Sequence, residues 1–444
     1  MSQSLNPGVT RREVFAWAMY DFANSGYTTV VLTAVFNAYF VSVISAAAPW
    51  ATFAWTATLA VSYALVMVAG PLVGAYADAH AVKKKTLLLA TAGCVASTAL
   101  LAWQPGAGTT TALVWAMVFI VISNFCYAIG ENIIAAFLPE LSRPEALGKV
   151  SGWGWSLGYV GGLVSLGLSL AWIMSAEARG VRASAAVPAT LLITAAVYAL
   201  AASVTFAWLK ERAHTARGGA GSGSNSTSNA DSDSFDRLIA TARAMAGRRR
   251  YRDLLLVFAC GVCYQAGVAT VIALAAIYAQ EVMGFTTTDT LILVLVVNVT
   301  ACAGAFAFGY VQDRIGKTVA LTWTLWGWLA MVLLAWFATT PPLFWIAANL
   351  AGLCMGSSQS AGRTLVAYFS PPDRSAEFFG LWGIATRLAA ILGPLTYGAV
   401  TWITGGNHRL AILLTGLFFV ASIAILAAVQ EPRGRAAALV EDTA

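Results

Sequence analysis

Twelve mostly apolar stretches, each long enough to cross a bilayer, run in succession through this 444-residue chain. They cover roughly 14–44, 51–77, 86–103, 111–137, 150–174, 187–209, 253–282, 290–311, 318–338, 342–367, 377–402 and 409–429. A membrane-crossing helix needs about 20 such residues, so the pattern leaves little chain for anything but spans and their loops. Apolar types make up 59% of the residues and charged types 10%. Soluble domains hold roughly 45–50% and about 25%, so soluble, fibrous and disordered classes are excluded together. The first stretch is too long for a signal peptide, and Asp21, Asn24 and Asn37 interrupt it. All six cysteines lie within apolar stretches, which argues against a disulfide framework.

Lysine and arginine set the orientation. Twenty-one of the 26 fall on one side: 11–12, 83–85, 143, 149, nine between 210 and 252, then 314, 317, 374, 433 and 435. Only Arg179, Arg182 and Arg409 fall on the other, while Arg363 and Arg387 sit inside spans. The expected fold class is therefore an all-α membrane protein with twelve transmembrane helices in two six-helix bundles and both termini cytoplasmic. The bundles are expected at 1–209 and 253–430, with a cytoplasmic linker at 210–252 and a cytoplasmic tail at 431–444. Residues 213–234 read as a Gly/Ser-rich flexible linker. Phe235, Leu238, Ile239, Ala242 and Met245 then share one helical face among arginines, which predicts a basic amphipathic helix on an anionic inner leaflet.

The halves repeat. Gly74-x-x-x-Asp78 recurs as Gly309-x-x-x-Asp313 with a shift of 235. Phe137-Leu-Pro139 recurs as Phe369-Ser-Pro371, and Glu145 as Glu377, with a shift of 232. Gly152-Trp153-Gly154 aligns with Leu381-Trp382-Gly383, shift 229. Parallel repeats place a substrate site between the halves, with access alternating as they rock.

The loop Gly309-Tyr-Val-Gln-Asp313-Arg314-Ile-Gly316-Lys317 resembles the G-x-x-x-D-[RK]-x-G-[RK] signature of the major facilitator superfamily. Its glycines permit a tight turn and close helix contact, and its Asp can face the positive N-terminus of a neighbouring helix. The first-half copy keeps Gly74 and Asp78 but has Ala79 and Ala81, with Lys83 following late. These two loops are the expected conformational latch. Trp17-Ala18-Met19-Tyr20-Asp21-Phe22-Ala23-Asn24-Ser25 resembles the W-x-x-Y-D-[FW]-A-N-S opening of the vacuole-effluxer-like family, a branch of that superfamily. The run from Gly148 to Gly162 resembles its fifth-span pattern. The resemblance implies a secondary transporter, with amino acids as the first substrate class and efflux as the family's direction. The short linker looks bacterial, which implies the plasma membrane.

Charge inside a span is costly, so the four intramembrane charges are the first candidates. Asp21, Glu131, Arg363 and Arg387 all fall in the cytoplasmic half of their spans and sum to zero. Asp21, Asn24 and Thr28 share one helical face, as do Asn124, Tyr127 and Glu131, and Gln359 stacks with Arg363. Gln265 and Asn349 are weaker candidates. The superfamily's arrangement places spans 1, 4, 7 and 10 on the cavity and the span of Arg387 beside it. Glu131 and Arg363 occupy equivalent positions of the two halves, and the expectation is that they pair when the cavity opens outward. Asp21 or Glu131 could also carry a coupling proton.

The only histidines, 80, 214 and 408, lie in loops or at span ends, so no His-based intramembrane enzyme site can be built. Gly316-Lys317-Thr318 ends like a P-loop, but Val311 stands where that motif needs Gly. No cofactor, metal or nucleic-acid partner is expected; the partners are a small-molecule substrate, lipid and the coupling proton. A transport-inactive sensor on the same fold, or an exporter of another metabolite or drug, is the alternative.

Overall fold

The structure, a computed structural model, describes residues 4–46, 48–103, 108–212 and 251–440. The expected Gly/Ser linker and basic helix lie outside the described residues. Twelve long helices follow one another among the described residues. We number them α1 (Arg11–Ile44, with two π-wound stretches), α2 (Ala51–Ala79), α3 (Lys83–Leu100), α4 (Thr110–Ala136), α5 (Leu147–Ala178) and α6 (Ala183–Trp208). The second set is α7 (Arg252–Met283), α8 (Thr287–Ile315), α9 (Lys317–Phe337), α10 (Pro341–Phe369), α11 (Ser375–Ile403) and α12 (His408–Leu426), followed by a short α13 (Glu431–Leu439). Ten of the twelve are long and apolar enough to span a membrane. The other two are α3, whose 18 residues begin with three lysines, and α10, which carries Asn349, Gln359 and Arg363 among small residues.

Local sequence explains where the helices begin and end. Thr10 and Thr109 accept hydrogen bonds from the N–H groups of Glu13 and Ala112, and Thr286 with Asp289 forms a capping box. Gly284 closes α7 at φ +68°, and Gly316 makes the α8–α9 turn at φ +98°. The equivalent α2–α3 turn places Ala81 at φ +53°, a left-handed conformation unfavourable for a residue with a Cβ.

The packing repeats with the sequence. In the first half α1 lies against α5 and α6, α4 against α2 and α3, and α3 against α6. In the second, α7 lies against α11 and α12, α10 against α8 and α9, and α9 against α12. The halves meet along two seams, α2 against α11 and α5 against α8.

Each half is also clasped at its Lys/Arg-rich end by the segment that follows its sixth helix. The Glu211 carboxylate accepts from the N–H groups of Lys83 and Lys84 at the start of α3, at 2.6 and 3.1 Å. Glu431 accepts from the N–H and hydroxyl of Thr318 at the start of α9, both at 2.7 Å. Arg212 pairs with Glu13 at 2.6 Å, and Arg433 pairs with Asp253 at 2.6 Å. A carboxylate on a helix N-terminus satisfies donors that the helix leaves open and complements its dipole.

Candidate functional site

A cavity of about 290 Å³ lies between the halves. Its walls come from α1 (Asp21, Asn24, Ser25, Thr28), α4 (Tyr127, Glu131, Asn132), α7 (Gln265), α10 (Gln359, Arg363) and α11 (Trp382, Arg387), with Trp155 of α5. Aromatic walls around a few converging polar groups are the usual make-up of a small-molecule site.

Two ion pairs cross the cavity floor, each joining one half to the other. Arg363 Nη1 donates to Asp21 Oδ2 at 2.7 Å, and Arg387 Nη2 donates to Glu131 Oε2 at 2.7 Å. The expected Glu131–Arg363 pair is therefore not the pairing in this conformation. Depth along the spans places all four charges in one layer, but lateral neighbours decide partners. Arg363 is held against α1 by the Ser151 hydroxyl and carbonyl of α5, at 3.2 and 2.9 Å. Its guanidinium also lies 4.8 Å from the Trp17 ring centroid and 5.3 Å from that of Trp155. Arg387 projects into the cavity rather than beside it, 5.5 and 5.9 Å from the rings of Tyr63 and Tyr127.

The two pairs differ in exposure. Asp21 and Arg363 side chains are 12% and 7% exposed, whereas Glu131 is 36% exposed. Glu131 is thus the carboxylate most open to the cavity. Gln265 and Gln359 exchange amide hydrogen bonds at 2.8 and 3.2 Å, which presents a neutral polar wall from the second half.

Between this floor and the Lys/Arg-rich end, the halves close tightly. Asp78 Oδ2 accepts from the Glu377 N–H in the first turn of α11 at 2.8 Å. Asp313 accepts from the N–H groups of Gly148 and Lys149 in the first turn of α5, at 2.9 and 2.8 Å. These contacts are related by the repeat: 78 matches 313 with shift 235, and each Asp accepts from the first turn of the fifth helix of the opposite half. Lys83 reaches Asp78 at 3.0 Å and Glu140 at 2.8 Å, and donates to the Ser375 hydroxyl across the seam. Gly74 brings α2 onto the α11 backbone at Ala376, and Gly309 brings α8 onto Gly148 and Gly152 of α5. Arg314 is exposed, and Lys317 lies over the Tyr368 ring at 4.4 Å.

Not every sequence candidate reaches the cavity. Asn124 is fully buried and donates to Ser62 Oγ at 3.0 Å, tying α4 to α2. Asn349 donates back to the Trp345 carbonyl of its own helix at 2.8 Å. Asn24 lines the cavity while accepting a hydrogen bond from the Tyr198 hydroxyl of α6. Glu377 pairs with Arg374. Trp155, Trp382 and Ser151 were not singled out from the sequence as site residues. Their signal was the Gly/Trp pattern at 152–155 and 382–383, visible as a repeat but silent about facing direction.

Residues 144–439 match the family described as "Vacuole effluxer Atg22 like". The chain is 30% identical over 424 residues to an uncharacterized MFS-type transporter, YxiO, of Bacillus subtilis, covering 94% of each protein. Its fold superposes on the human organic anion transporter MFSD10 (TETRAN) with TM-score 0.72 and 16% identity, covering 94% of this chain and 99% of that one. It superposes on the proton:xylose symporter XylE with TM-score 0.69 and 14% identity, covering 96% of each.

Proposed function

We infer the function from one premise: the chain belongs to the Atg22-like vacuole-effluxer family, within the major facilitator superfamily of transporters. It is an integral membrane transporter and not an enzyme. Comparable folds carry an organic anion in one protein and xylose with a proton in another, so the substrate must be argued from the cavity.

We propose that the solute is a small zwitterion, an amino acid before other classes, moved by alternating access. The observation that carries this reading is the pair of ion bridges on the cavity floor. A carboxylate could take an arginine from its acid, and an ammonium could take the acid in turn. Each bridge joins the halves, so a zwitterion that competes for both loosens the floor at the moment it binds. Binding and opening are then coupled through the same charges, as any ligand-driven shift requires. A single negative or positive charge would relieve only one side of each bridge. Efflux is the proposed direction, after the family. With the Lys/Arg-rich end taken as cytoplasmic, the seam closes the cavity to that side. Glu131, the more exposed acid, is the proposed carrier of a coupling proton.

The test is a thermal-shift screen of the detergent-purified protein against amino acids, peptides, sugars and organic acids, repeated with Glu131→Gln and Arg363→Ala. Ligands stabilise by mass action only when they bind. Amino-acid stabilisation lost in both variants supports the reading. Stabilisation by sugars or organic acids alone overturns the substrate class. Binding without flux in reconstituted vesicles favours a sensor on the same fold.

A further inference from the structure

A second concavity, about 400 Å³, opens sideways from the α5–α8 seam, outside the substrate cavity. Its walls are Val14, Phe15 and Ala18 of α1, Trp153, Leu157 and Val160 of α5, and Cys302 and Phe306 of α8, with Leu5, Arg11 and Ser156. Phe15, Val160 and Phe306 are exposed, at 50%, 38% and 49%. Ser156 spends its hydroxyl on the carbonyls of Gly152 and Cys302, so the groove offers almost no free polar group along its length.

The polar chemistry is confined to one end. On α1 the lining runs Arg11, Val14 and Phe15, then Ala18, so the charge stands at the Lys/Arg-rich mouth. On α5 the residue one turn before Trp153 is Lys149, whose ammonium lies 5.2 Å over the Tyr310 ring and 3.4 Å from Ser4 Oγ. The Tyr310 hydroxyl accepts from Trp153 Nε1 at 3.2 Å, which fixes that corner. On α8 the row Cys302, Phe306, Tyr310 continues to Arg314, which is exposed, as is Arg11. The nearby Asp313 carboxylate is engaged by two backbone N–H groups. From Trp153 to Val160 the groove runs about 10 Å along α5.

We propose that this groove is a binding site for an anionic glycerophospholipid of the inner leaflet. One acyl chain lies along Leu157, Val160 and Phe306, and the phosphate sits among Arg11, Lys149 and Arg314. An apolar trough alone would accept any lipid tail. The cations at its membrane-surface end select a negative headgroup, and each such cation adds attraction for anionic lipid. Because the walls come from both halves, the lipid stabilises the conformation in which the α5–α8 seam is closed, and it leaves or shifts when the seam opens.

Native mass spectrometry of the full chain in detergent, offered equal phosphatidylglycerol and phosphatidylcholine, tests this. Phosphatidylglycerol adducts should exceed phosphatidylcholine adducts by on the order of tenfold. The preference should vanish in Arg11→Gln/Lys149→Gln. Adducts of both lipids should drop in Leu157→Trp, which blocks the groove without changing charge. Val160→Phe, on the exposed lip, gives the same reading should Leu157→Trp fail to fold. Equal retention of the two lipids by the wild type overturns the proposal. So does a phosphatidylglycerol preference that survives either the charge change or the groove block.

Discussion

Replacing Gly74 by alanine should open the seam rather than unfold the protein. A Cβ at this position would lie 2.6 Å from the Ala376 carbonyl carbon and 2.9 Å from the Glu377 nitrogen, and closer still to the Ala376 oxygen. Those are backbone atoms of α11, so no side-chain rotation relieves the overlap. Ordinary carbon contacts sit at roughly 3.5–4.0 Å, so the helices must part by about 1 Å. Overpacking of this kind costs about 1–3 kcal/mol. The helix-propensity gain of alanine over glycine, about 1 kcal/mol, is present in both conformations and cancels between them. The clash exists only while α2 and α11 touch. A net bias of about 2 kcal/mol shifts the closed-to-open ratio by about thirtyfold. Spin labels at Glu145 and Asp373, exposed residues in equivalent turns of the two halves, read this directly. The inter-label distance distribution should move to longer values. Gly152→Ala, which meets Ala305 and Gly309 on the other seam, should do the same. An unchanged distance distribution with a lowered Tm would refute the reasoning, because the clash would then burden the whole fold and not one conformation.

Asp21→Asn leaves the buried Arg363 without its carboxylate and should cost about 3–5 kcal/mol, seen as a lower Tm and lost flux. The exchange Asp21→Arg/Arg363→Asp should recover only part, since the Trp17 and Trp155 rings are placed for the guanidinium at 363. Glu131→Gln should abolish amino-acid stabilisation, and any residual vesicle flux should be insensitive to an imposed pH gradient. Ala81→Gly should raise the Tm, because the φ of +53° costs a Cβ-bearing residue about 1–2 kcal/mol, partly offset by the added freedom of glycine in the unfolded chain. Glu431→Gln should lower the Tm by removing the carboxylate cap on α9, worth about 0.5–2 kcal/mol, while ligand stabilisation stays unchanged.

The spans, the repeat and the Gly/Asp turns were legible because they depend on local chemistry. An apolar stretch of spanning length has one use, and Gly309 to Lys317 encodes a turn whichever helix it meets. The degenerate first copy was harder to read. It lacks the basic residue and glycine of the motif, yet Lys83 reaches Asp78 and Glu140 from the next helix, and Ala81 accepts the strained turn. Partner choice was not legible. Period and depth put Asp21, Glu131, Arg363 and Arg387 in one layer, but which acid meets which base depends on lateral packing. That packing is set by Gly154 and Gly158 of α5, whose missing side chains leave room for Asp21, Ser25 and Arg363. The glycines were visible in the sequence, while the helix they faced was not. Asn124 and Asn349 show the converse limit. A polar residue on a cavity helix can satisfy itself within its own half, and helical period alone does not separate the two cases.

The repeat also separates two kinds of residue in a way that bears on mechanism. Where the halves agree, they build the closed seam proposed as the gate: Asp78 and Asp313 each accept from the first turn of the opposite half, and Glu211 and Glu431 each clasp a third helix. Where they differ, they build the cavity. Glu131 stands opposite Arg363 in the alignment, and Arg387 stands opposite Gly158. Clasping acids align Glu13 with Asp253, which places Asp21 opposite Gly261. A symmetric cavity would carry like charges face to face and repel itself at the floor. An opposite charge or a glycine at the equivalent position of the other half lets each acid reach a base across the seam. On the proposed mechanism, the duplicated scaffold supplies the motion, and its departures from symmetry supply the charges a solute must displace. Changing Asp78 or Asp313 should therefore alter transport of every solute alike, whereas changing Glu131 or Arg387 should alter which solute is chosen. A panel of solutes measured with both sets of variants distinguishes the two, and equal selectivity changes from gate and cavity variants would contradict this division.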